Sequence, residues 1–157
     1  MKNQMNSIRL QFLLFFLAIL STGLTNAQMG ADVDESSVLS SFKDKAIEWG
    51  KCPPFMPDGC RLSTLHGDLS QPNTDVLFKL EGKTDAPKHW HNSPERMILL
   101  SGELEVTYDG ETTQSMKVGD YAYGPAKKPH FARCVSEEAC VLFIALQNPL
   151  DAFEVTD

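Results

Sequence analysis

From Arg61 onward the chain is a succession of short runs rich in Val, Leu, Ile, Phe, Tyr and Thr, cut by Gly, Pro, Asn and Asp at intervals of about ten residues. Runs of this kind, bounded by residues that turn the chain, predict an antiparallel all-β domain. The strands fall at 61 to 66, 75 to 81, 87 to 91, 95 to 100, 103 to 108, 112 to 117, 121 to 124, 130 to 135 and 140 to 146. Nine short strands suit a sheet rolled into a barrel.

Local chemistry supports these assignments. Asp109-Gly110 separates two strand-like runs, and the pair supplies the positive φ that a two-residue hairpin turn requires. In 76 to 81, alternation puts Val76, Phe78 and Leu80 on one face and Leu77, Lys79 and Glu81 on the other. The first face is expected in the core and the second in solvent.

The segment before the barrel reads differently. Lys2 and Arg9 precede the largely apolar run Leu10 to Leu20, which leads into the small and polar stretch Ser21 to Ala27. That is the layout of a secretory signal peptide over residues 1–27, cleaved after Ala27. The run is shorter than the roughly 20 apolar residues of a bilayer span. Residues 28–46 are expected as a flexible leader with at most one short helix, 47–149 as the barrel and 150–157 as a C-terminal tail. The localisation expected is therefore periplasmic or secreted. Without residues 1–27 the chain keeps 12 basic against 21 acidic side chains, a net charge near −9, which disfavours nucleic acid as a partner. No membrane partner is expected after cleavage.

Export also frames the four cysteines. Cys52 with Cys60, and Cys134 with Cys140, form an even count at short spacings that fits two disulfides in an oxidising compartment. Cys52 and Cys60 flank a proline-rich loop, and Cys134 and Cys140 flank the turn Ser136 to Ala139. Buried free thiols are the alternative.

The chemistry concentrates in three of the four histidines. His89 and His91 are two apart, so on one strand both imidazoles face the same way. Asn92-Ser93-Pro94 is turn-like and lets Glu95 return its carboxylate to that face, where the apolar neighbours Met97 and Leu99 mark the inward side. His130 closes the set from a distant strand. Such donors suit one divalent transition metal, Fe, Mn, Zn, Ni or Cu, with coordination positions left open. His66 stands apart and reads as a surface or core residue. Trp90 must point opposite to its histidine neighbours, toward the outer sheet or a subunit contact. Tyr121 and Tyr123 belong at the barrel mouth or in the core, and Lys127 and Lys128 form a solvated turn or steer an anion.

Two motifs containing these residues resemble those of the cupin superfamily. The first runs from Gly82 through His89, His91 and Glu95 to Gly102, with one residue more than usual between Gly82 and His89. The second runs from Gly119-Asp120 through Pro125 to His130, with Lys127 in place of an inner glycine and Cys134 where asparagine often stands. The stretch 47 to 146 is similar to small exported cupins. The resemblance implies a single-domain jelly-roll barrel (a double-stranded β-helix), a metal held by His89, His91, Glu95 and His130 inside one end, and an oligomer, often a dimer, formed by sheet edges. It implies no single reaction. The expected function is a mononuclear metal-dependent enzyme, dioxygenase-like or isomerase-like, acting on a small molecule. The alternative is a non-catalytic module that binds metal or a small ligand for sensing. Met97, Leu99 and Phe131 suggest a ligand that is not highly charged.

Overall fold

The computed structural model describes residues 36–156, so the expected signal peptide lies outside the described residues. Eleven strands follow in order: β1 (Gly50–Lys51), β2 (Arg61–His66), β3 (Thr74–Leu80), β4 (Asp85–Trp90), β5 (Glu95–Ser101), β6 (Leu104–Tyr108), β7 (Gln114–Met116), β8 (Tyr121–Gly124), β9 (His130–Cys134), β10 (Cys140–Leu146) and β11 (Phe153–Glu154). No helix occurs among the described residues, and none there is long and apolar enough to cross a membrane.

Every pairing is antiparallel. One sheet has the order β1-β2-β3-β10-β5-β8 and the other β11-β4-β9-β6-β7. The two form the all-β jelly roll expected of a cupin barrel. Each strand turns alternate side chains inward, and Val76, Leu80, Leu99, Leu104, Leu142, Ile144 and Leu146 meet in one buried cluster. Full burial of such a side chain is worth about 1.5–3 kcal/mol, and Leu80, Leu99, Leu142 and Leu146 are almost fully enclosed. The central strand β10 is flanked by β3 and β5, which explains why it reads as a near-continuous apolar run.

Departures from the sequence expectation have local causes. Leu77, placed on the solvent side of β3, is only 1% exposed. Two residues on, the Lys79 ammonium lies over the Trp49 ring, 5.0 Å from its centre. The β6–β7 hairpin forms, but only Gly110 of its turn pair takes a positive φ. The register Val106↔Gln114 places one residue more on the second arm than a two-residue loop would. β11 lies in the segment expected as a tail: Phe153 and Glu154 pair with Trp90 and His89, and Trp90 stacks on Phe153 with ring centroids 4.4 Å apart. Both cysteine pairs are disulfides, Cys52–Cys60 and Cys134–Cys140.

Candidate metal centre

β4 and β9 bring the histidines together. The register of that pair shifts between Ala86 and His89, and Pro87 occupies the irregularity, where the missing N–H is tolerated. His89 then stands directly opposite His130. His91 follows just beyond the end of β4 and turns to the same side. One ligand nitrogen from each of His89, His91 and His130 lies within 4.8 Å of the others.

The second nitrogen of each ring is occupied. His89 Nδ1 meets the Pro87 carbonyl at 2.6 Å, His130 Nδ1 the Lys128 carbonyl at 3.2 Å, and His91 Nδ1 the Asp151 carbonyl. A carbonyl can only accept, so each Nδ1 carries the proton and each Nε2 keeps its lone pair for the site. Burial, with His91 nearby, pulls His89 down to about 4. Burial, reinforced by His89 and His91, pulls His130 down to about 3. Both rings are therefore neutral at ordinary pH, the state in which an imidazole can serve as a metal donor.

Glu95 opens β5 and is buried, with Oε1 3.6 Å from His91 Nε2. Its place is set by the preceding turn, where the buried Ser93 hydroxyl accepts the Gln147 and Asn148 backbone N–H groups at 3.0 and 3.1 Å. Burial raises the Glu95 pKa, which His91 partly opposes. A carboxylate so enclosed needs a cation to stay ionised. The donor set thus fits a transition metal: three imidazole lone pairs converge beside a buried carboxyl. The described groups include no other such cluster.

Further contacts hold these side chains. The Lys127 N–H donates to the His91 carbonyl at 2.7 Å, tying the second motif to the first. Lys127 itself takes φ 60°, the left-handed conformation that glycine would adopt without strain. Asp151 receives the Asn92 backbone and side-chain N–H groups on its carboxylate at 2.8 and 2.7 Å. Sequence reasoning missed Asp151, because its recognition of His91 uses a backbone carbonyl that any residue carries.

The site opens into a cavity of about 170 Å³ lined chiefly by apolar side chains, among them Met97, Val106, Met116, Leu142 and Ile144. Cys52, Pro53 and Met56 from the first disulfide loop complete its wall. Tyr108, also missed, lines the same space with its ring 4.9 Å from that of His130. Its pKa is raised by burial first and by Glu95 next, so the hydroxyl keeps its proton. The alternation Leu104, Val106, Tyr108 could have marked it as inward-facing. Tyr121 and Tyr123 are 62% and 55% exposed, so they lie outside the core, and neither lines the cavity. Phe131 and Leu99 do not line the cavity, and His66 lies outside the cluster.

Residues 76–146 match the cupin domain family. No curated protein sequence matches the chain. Among solved structures, the DMSP lyase DddQ of Ruegeria pomeroyi superposes with a TM-score of 0.61 at 17% identity, over 69% of this chain and 61% of the lyase. The polyketide cyclase RemF of Streptomyces resistomycificus gives 0.61 at 15% identity, over 76% of this chain and 87% of the cyclase. An oxalate decarboxylase of Lactobacillus farciminis gives 0.57 at 14% identity, over 69% of this chain and 33% of the decarboxylase. The chain thus spans less than two thirds of the lyase and of the decarboxylase, and at these identities the likeness is one of fold. The domain match and the barrel agree, and residues 76–146 are a cupin domain.

Proposed function

We propose that this protein is an exported, metal-dependent enzyme of dioxygenase or isomerase type that acts on a small molecule. It holds one divalent transition metal, drawn from Fe, Mn, Zn, Ni and Cu, through His89, His91, Glu95 and His130. The observation that carries this reading is the convergence of three imidazoles within 4.8 Å, each with Nδ1 anchored to a backbone carbonyl. A site built only to fold would have no use for three aligned lone pairs in an apolar chamber. Bound there, the metal would supply a Lewis acid or a redox centre.

The chain's own residues do the rest. Carbonyls of Pro87, Lys128 and Asp151 orient the rings, and Met97, Leu142 and Ile144 exclude bulk water from the reacting end of the substrate. The lyase, cyclase and decarboxylase among the structural neighbours support an enzyme. The two disulfides and the signal-like residues 1–27 support export. A homodimer belongs to the same reading, supported by the exposed apolar side chains Ile98, Tyr121 and Tyr123 on one sheet.

The test is elemental analysis of protein purified without chelators or a metal-affinity tag, followed by oxygen-uptake assays. One equivalent of a transition metal per chain is expected. Iron or manganese would favour oxygen chemistry and zinc an isomerase. Substoichiometric metal after reconstitution with each candidate ion would refute the proposal.

A further inference from the structure

The cavity beside the histidine cluster has an uneven chemistry. Among the described residues that line it there is no Lys, Arg, Ser, Thr, Asn or Gln. Its polar side chains are the three histidines, Glu95, Asp151 and Tyr108, whose hydroxyl is enclosed. The Asp151 carboxylate is held by the backbone and side-chain N–H groups of Asn92. Polar recognition of a ligand is therefore confined to the histidine end, and the remaining walls are apolar.

The charges at that end point the same way. Imidazoles bind a metal in their neutral form, so a divalent ion there would be balanced by Glu95 and Asp151, the two acidic side chains of the lining. No cation remains along the walls to receive an anionic group, and a charge buried unpaired against apolar surface is costly.

A second observation concerns the walls. Residues 36–156 contain three methionines, Met56, Met97 and Met116, and all three line the cavity. They come from separate places: Met97 from β5 in one sheet, Met116 from β7 in the other, and Met56 from the loop closed by the Cys52–Cys60 disulfide. Thioethers make favourable contacts with aromatic rings and adapt to the shape of what they enclose. At about 170 Å³ the cavity is comparable to an apolar cavity of about 150 Å³ that takes up benzene.

We infer that the substrate is an uncharged compound with a single aromatic ring, one hydroxyl or carbonyl oxygen and no second polar group. The oxygen meets the metal, and the ring lies among Met56, Met97 and Met116. The place of the oxygen rests on the metal reading above, whereas the ring site rests on the walls alone.

The experiment titrates four probes into the full mature chain by calorimetry, both metal-free and loaded with Co(II). The probes are benzene, phenol, 4-hydroxybenzoate and 4-isopropylphenol, the last an uncharged match in shape to the third. Benzene should bind both forms of the protein with similar affinity. Phenol should bind the cobalt form at least about five-fold more tightly than the metal-free form, because the metal receives its oxygen. 4-Isopropylphenol should bind at least about ten-fold more tightly than 4-hydroxybenzoate, whose carboxylate finds no cation along the walls. Met97→Leu combined with Met116→Leu keeps the volume and should weaken benzene about three-fold or more, through lost sulfur–ring contacts.

No benzene binding to the metal-free wild type would overturn the ring site and leave the metal reading standing. Equal binding of 4-hydroxybenzoate and 4-isopropylphenol would overturn the uncharged class. Wild-type benzene affinity in the double variant would overturn the aromatic assignment. Cobalt uptake with no gain for phenol would overturn the place given to the oxygen. Failure of the wild type to take up cobalt would remove the metal reading and the oxygen's place together, even where benzene binds.

Discussion

At one end of the barrel Leu80, Leu99 and Leu104 close around the Cys134–Cys140 bridge, with Cys140 opposite Leu80 and Cys134 opposite Leu104. At the other end the same strands present His130, Tyr108 and Glu95, and β4 adds His89. The first end buries apolar surface that stabilises the fold. The second buries imidazoles and a carboxyl, each of which opposes folding unless something binds there. One set of strands therefore carries both the stability and the site, separated by only a few residues along each strand. The contrast teaches that substitutions at the two ends should fail in different ways.

The largest effect belongs to the apolar end. Leu99→Ala should destabilise the protein by about 2–5 kcal/mol, read as a shift of the denaturation midpoint, and leave metal stoichiometry intact. A comparable loss of metal would mean that the two ends are not separable. At the polar end His130→Ala should keep the fold and weaken metal binding by more than about 100-fold, since losing even an outer partner of a ligand costs about 10–100-fold. Equilibrium dialysis with elemental analysis measures the binding, and circular dichroism the fold. Full metal occupancy in that variant would reassign the ligands.

A pH series sharpens the comparison in the metal-free protein. Burial lowers His89 to about 4 and His130 to about 3 from an ordinary 6.5. Below pH 6.5 the unfolded chain takes up protons that the folded chain refuses, so this contribution is complete above 6.5 and is lost as pH falls toward 4. Glu95 acts in the opposite sense: its raised pKa gives a contribution present below about 4.5 and lost as pH rises. The denaturation midpoint should fall between pH 6.5 and 4.5, and fall more steeply in Glu95→Gln. A flat profile in both proteins would show that the rings are not held neutral by the fold.

The smallest effect is at the turn that joins the motifs. Lys127 is exposed and left-handed, so Lys127→Gly should raise stability by about 0.5–1 kcal/mol, the relief of the left-handed strain less the entropy of glycine in the unfolded chain. The Lys127 N–H that holds the His91 carbonyl is retained, so metal affinity should not change. Thermal denaturation and dialysis on one sample separate the two.

Much of the barrel was legible because strand signals are local. Tyr121–Gly124, Arg61–His66 and Cys140–Leu146 fall where alternation and turn residues put them. So was the pairing of His89 with His91, which depends on a two-residue period alone. Leu77 misled, because alternation along its own strand says nothing of what covers the outer face of the sheet. The short strand Phe153–Glu154 has too few residues for any period to show.

By itself the amino-acid sequence determined the all-β class, the position of most strands and the histidines that gather at one end, since side-chain chemistry and a period of two are written in consecutive positions. Tertiary structure alone decided that Tyr108 lies opposite His130 with nothing to bond, that Asp151 orients His91, and that Gly124 leaves space beside Glu95. These depend on strand register and on backbone atoms common to every residue. Both are set by packing between segments distant in the chain, which no local pattern encodes.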